Sequence, residues 1–139
     1  MFQQAVYDGL WSLLADTLAE QQRLIQAAWE LPDKYVYDTP DGHERTHTVA
    51  AIIAVYTEAQ QDIIRACGQG WYSEDETRMC YWPWVRRMER CREMAHWRLP
   101  GETDVSYQRD RRYNFLRAHL WAALIRRMKP VYEASRVRP

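Results

Sequence analysis

Between Val6 and Ala28 the chain places apolar residues at three- and four-residue steps, at Val6, Leu10, Leu13, Leu14, Leu18, Ile25 and Ala28, and no proline interrupts them before Pro32. A helix with 3.6 residues per turn gathers such positions on one face, whereas a strand would scatter them over both. The opening segment is therefore predicted to be a helix over residues 4–30. The rhythm returns in Val49, Ile52, Ile53, Tyr56, Ile63, Ile64 and Cys67, which form one stripe ended by the glycines at 68 and 70. It returns again in Tyr113, Leu116, Leu120, Leu124 and Met128, a last helix expected to stop before Pro130 because proline lacks the N–H that the ladder needs.

Between these helices, Trp84, Met88, Cys91 and Ala95 share a face, and Pro83 either kinks one long helix or opens a new one. Asp41 with Glu44, Ser73 with Glu76, and Asp104 are candidate helix caps. The one strand-like stretch is LPDKYVYDTPDG, where Tyr35, Val36 and Tyr37 lie extended among proline, aspartate and glycine. The expected fold is all-α: a single domain over residues 1–139, built as a four- to five-helix antiparallel bundle with a short extended loop near residues 33–40 and a loosely held tail from 130.

The first twenty residues lack a basic start and carry Asp8, Asp16 and Glu20 inside the apolar pattern, unlike a secretory signal. The longest charge-free apolar stretch, Thr46 to Thr57, is far too short for a bilayer. Three cysteines, Cys67, Cys80 and Cys91, are an odd number in a chain large enough to need no staples, so reduced thiols and a cytoplasmic location are expected, with no membrane contact.

The net charge of zero conceals a division. Residues 1–76 hold 4 basic against 13 acidic side chains, and residues 77–139 hold 15 against 6. Seventeen of the 19 basic residues are arginine, and seven tryptophans accompany them. Arginine suits flat, bidentate or stacked contacts. In YWPWVRRMERCREMAHWR, residues 81–98, the inward stripe leaves Arg86, Arg87, Arg90, Met94, Trp97 and Arg98 on another arc, a composition typical of interface hot spots. The last helix adds Arg109, Arg111, Arg112, Arg126, Arg127 and Lys129, followed by a tail with Arg136 and Arg138. The competing expectation is that these arginines pair internally with the acidic half while Trp82, Trp84 and Trp121 fill the core.

Two other chemistries require weighing. Basic residues interleaved with aromatics can follow a nucleic-acid backbone and stack its bases, although the acidic half opposes this and no named nucleic-acid motif is present. HERTH, residues 43–47, matches the His-Glu-x-x-His pattern of zinc hydrolases, which makes His43 and His47 candidate ligands. Such a site needs both imidazoles in mid-helix, facing a cleft, with a third ligand and a free glutamate. Here the pair opens a helix, Glu44 has a capping task, and the stripe of Val49, Ile53 and Tyr56 points roughly 120° to 160° away. No Gly-x-Ser-x-Gly or phosphate-binding glycine loop occurs. The chain reads as a non-enzymatic binding protein with no cofactor: an adaptor, inhibitor or regulator acting on a partner protein, such as one of the nucleic-acid-processing machinery. Its size and architecture are those of the small modulators carried by phages and mobile elements, an analogy of form only.

Overall fold

The computed structural model describes residues 3–30, 44–68 and 74–136, with the side chains of Gln3, Glu44, residues 74–80 and Arg136 outside that description. It contains four helices: α1 (Gln3–Trp29), α2 (Glu44–Cys67), α3 (Glu74–Met94) and α4 (Asp104–Arg136). No strand occurs among the described residues. The loop expected near 33–40, with Tyr35, Val36 and Tyr37, lies outside them, as do the caps expected at Asp41 and Ser73.

Side-chain pairings set the direction of each helix. Along α3 and α4, Trp82 meets Tyr132, Trp84 meets Trp121 and His96 meets Phe115, so one chain position rises as the other falls. Between α2 and α3, Glu58 reaches Arg87 while Asp62 reaches back to Trp84. Gly9 lies against Val131 and Glu20 against Arg127, which makes α1 antiparallel to α4. The helices therefore alternate in direction. Each packs on its neighbours in the chain, α1 closes against α4, and α2 touches α4 across the centre, whereas α1 and α3 make no contact among the described residues. Leu10, Ile63, Trp84, Trp121, Leu124 and Met128 are fully buried in the shared core. No described helix is long and apolar enough to cross a membrane.

Three expectations need correction. Leu18, Ile53 and Ile64 keep the apolar period yet are 52%, 45% and 53% exposed. The covered side of α2 is Val49, Ile52, Tyr56, Ile63 and Cys67, because a bundle encloses only the stripe that faces its neighbours. Of the two readings of Pro83, the single long helix holds, since α3 runs through it.

Pro130 likewise fails to end α4, which continues to Arg136. A proline inside a helix costs about 3 kcal/mol, and tertiary contacts beyond it offset the loss. Tyr132 stacks on Tyr81 with centroids 4.3 Å apart and accepts a 3.3 Å hydrogen bond from Trp82 Nε1. Val131 packs so closely on Gly9 that a Cβ there would come within 3.3 Å of its methyl group.

The cap of α4 is Thr103 rather than Asp104. Its Oγ1 accepts from the Ser106 N–H at 3.2 Å, and its carbonyl accepts from Tyr107 at 2.9 Å. Asp104 is the first helical residue, where its charge suits the positive end of the helix. The preceding turn places Pro100 and Gly101 between the Leu99 carbonyl and the Glu102 N–H, 3.0 Å apart. Gly101 has φ of 79°, the left-handed value that a type II turn requires at that position.

Candidate interaction surface

The arginines of α3 divide into two environments. Arg87, expected on the outer arc, borders the core instead, because a step of three residues turns the helix only about 60° away from Trp84. Its Nη1 donates to Asp62 Oδ2 at 2.6 Å and its Nε lies 3.0 Å from Glu58 Oε1. Its guanidinium sits 5.2 Å above the buried Trp121 ring. Asp62 is 7% exposed and also accepts from Trp84 Nε1 and from Arg65, each at 2.9 Å. Three donors on one carboxylate satisfy a buried charge that would otherwise be expensive.

Asp62 was not singled out by pattern. Its signal is its place in the row Ala51, Val55, Ala59, Asp62 and Ala66, a second inward stripe of α2 in which it is the single charge. A similar link joins α1 to α4, where Glu20 lies against Arg127 and accepts from the Tyr56 hydroxyl at 3.3 Å. Arg87 and Arg127 thus bring basic-half charge onto the carboxylates of α1 and α2.

Several further arginines line the surface of the α3–α4 hairpin, some exposed and some half-buried. Arg90 is exposed with its guanidinium 6.0 Å from the ring of Trp97, itself 55% exposed. Arg111 stands 5.5 Å over Phe115, which also meets His96 edge-on. Arg98 is held by Asp104, donates to the Glu102 carbonyl at 3.1 Å and covers Tyr107. Met94 is half-buried beneath this arc. Arg86, Arg112 and Arg126 are exposed, the last two sharing the outer side of α4. Among the described residues Arg86, Arg90, Arg111 and Arg126 form no ion pair. Arg109 is turned along its own helix, donating to Ser106 at 3.3 Å and lying 3.5 Å from Asp110. Trp84 and Trp121 are core, whereas Trp82 is 46% exposed. Phe115 was missed in the sequence because a single phenylalanine at helical spacing reads as packing.

HERTH is placed differently from expectation. His43 lies outside the described residues. His47 does not look outward: it is half-buried, meets Tyr113 edge-on at 6.5 Å and lines a cleft of about 300 Å³ with Ala50, Arg109 and Asp110. The N-terminal stretch of α4 covers that side of α2, which widens the buried sector beyond the apolar stripe. No cluster of three metal-ligating side chains occurs among the described residues.

Burial shifts two groups. The Tyr56 phenol is raised above its ordinary value, first by burial and then by the Glu20 carboxylate beside it. The Cys91 thiol is also raised by burial and stays protonated, which makes it a packing group and a poor nucleophile. Cys67 and Cys91 are free and buried, and the Cys80 side chain lies outside the described residues. The surface therefore offers outward guanidiniums on aromatic supports and, among the described residues, no assembled catalytic group. No family model, curated protein or solved structure matches the chain.

Proposed function

We propose that the chain is a small helical binding protein, of the adaptor, inhibitor or regulator kind, which presents the α3–α4 hairpin to an acidic face of a partner protein. The observation that carries this reading is the pairing of Arg90 with Trp97 and Arg111 with Phe115, without an ion-pair partner among the described residues. A guanidinium resting on a ring keeps its in-plane N–H fork available for a carboxylate, and the ring reduces the side-chain freedom lost on binding. Exposed Leu99 and Val105 at the tip add apolar contact. A protein partner fits better than nucleic acid because guanidiniums already occupy ring faces that bases would need for stacking.

The test is a pull-down from the source cell with the wild-type chain and with the double variant Arg90→Glu, Trp97→Ala, each with and without nuclease. Capture by wild type should survive nuclease and fail in the variant, since truncating a hot spot removes about 2 kcal/mol or more of binding. Gel shifts should show weak binding to any duplex that collapses between low and physiological salt. Capture that vanishes with nuclease, or nucleic-acid binding that persists at physiological salt, would replace the protein partner by nucleic acid.

A further inference from the structure

α1 carries two apolar seams, and among the described residues the bundle covers only one. The inner seam contains Val6, Leu10, Leu13, Thr17, Leu24 and Ala28. The outer seam follows steps of four and three through Trp11, Ala15, Leu18, Gln22, Ile25 and Trp29. This is the 3.5-residue repeat of a helix-pairing surface. Trp11, Leu18 and Trp29 are 45%, 52% and 52% exposed, and Ile25 is partly buried. The flanking positions Ser12, Ala19 and Gln26 are exposed and uncharged. An uncharged strip this long is unusual on a chain with 27% charged residues.

α2 widens the strip. Gln60 Nε2 donates to Gln21 at 2.7 Å and the Tyr56 hydroxyl donates to Glu20, which fixes the register of the two helices. Exposed Ile53 and Ile64 lie three residues before Tyr56 and four after Gln60, and Leu18 and Ile25 bear the same relation to Gln21. All four border the α1–α2 groove on the side away from the core.

We infer that this face is covered by a second copy of the chain, with two α1 helices packed antiparallel about a twofold axis near residue 20. The order of side-chain sizes argues for self-pairing. Reversal of the seam sets Trp11 opposite Trp29, Ala15 opposite Ile25 and Leu18 opposite Gln22, so the small Ala15 faces the larger Ile25, Leu18 and Gln22 match in size and the indoles bracket both ends. The area agrees. With the axis near residue 20 the two α1 helices overlap from Trp11 to Trp29, about 28 Å, and two helices side by side are about 20 Å wide, or about 570 Å² per copy and about 1,100 Å² in all, above the roughly 1,000 Å² that a specific interface should clear. The absence of charge along the seam matches the charge-depleted centre of homodimer interfaces. The inference is independent of what the α3–α4 hairpin binds.

Light scattering and sedimentation of the full chain test it. Wild type should have twice the 16.7 kDa chain mass, and Leu18→Glu should have the single mass with unchanged far-UV helicity. Trp97→Ala, on the far hairpin, should remain dimeric. Under oxidation, with wild type as the blank, Ala15→Cys combined with Ile25→Cys should form a covalent dimer, whereas Ala15→Cys alone should not. A wild-type monomer at concentrations well above micromolar, or a Leu18→Glu dimer, overturns the interface. Cross-linking of Ala15→Cys alone overturns the antiparallel arrangement.

Discussion

Arg87 and Arg90 stand one helical turn apart on α3, and their surroundings are opposite. Arg87 is held by Glu58, by the buried Asp62 and by the face of Trp121. Arg90 rests on an exposed indole with no ion pair among the described residues. The difference shows that arginines one turn apart on a helix of a charge-divided chain can have opposite surroundings. One guanidinium fastens the basic half to the acidic half, and the next stays at the surface on an aromatic support. Composition averages over both, so only the position of each residue relative to the core separates them.

Removing the internal fastening should produce the largest effect. Asp62→Ala leaves the buried Trp84 N–H without its acceptor and the Arg87 guanidinium with Glu58 as its remaining carboxylate, so the variant should lose about 3 kcal/mol of stability. In a domain of this size that loss lowers Tm by about 10 °C. A thermal melt decides the matter: a Tm within a degree of wild type would mean that Asp62 does not fasten α2 to α3.

The outer pair should behave in the opposite way. In the Arg90→Glu, Trp97→Ala variant, Tm should stay within about 2 °C of wild type, because surface substitutions away from caps and ion-pair networks cost little. Should that protein unfold instead, Arg90 and Trp97 belong to the structural network and the contrast with Arg87 disappears.

The smallest effect should appear only in alkali. The folded Tyr56 phenol titrates above its ordinary 10.0 because burial, and then Glu20, disfavour its charged form. Its contribution to stability is therefore complete below pH 10.0 and is lost as pH rises from there toward the folded value. Denaturant midpoints measured across this range should fall for wild type and fall less steeply for Tyr56→Phe. Parallel slopes would remove Tyr56 from the set of internal fastenings.

Much of the fold was legible as periodicity. The 3.6-residue rhythm located α1 and α2 to within a residue or two and assigned Trp84, Cys91 and Ala95 to the inner face of α3. It was weaker for the site, where it exposed Arg90 and Trp97 correctly but placed Arg87 beside them. Asp62 and Phe115 were illegible for opposite reasons: one is a charge that reads as surface yet is buried, and the other is a ring that reads as core yet is exposed. Pro130 misled because local propensity ends a helix there, while Tyr132 and Val131, beyond it, gain enough from α3 and α1 to carry the helix onward.

The sequence by itself determined that this chain is helical, roughly where its helices lie and that its charge is divided between its halves, since these follow from backbone geometry and composition. The tertiary structure alone decided which of the two seams of α1 is covered, which arginine is spent inside and which proline a helix runs through. Period fixes the angle between side chains on one helix, whereas burial depends on which neighbour stands at that angle.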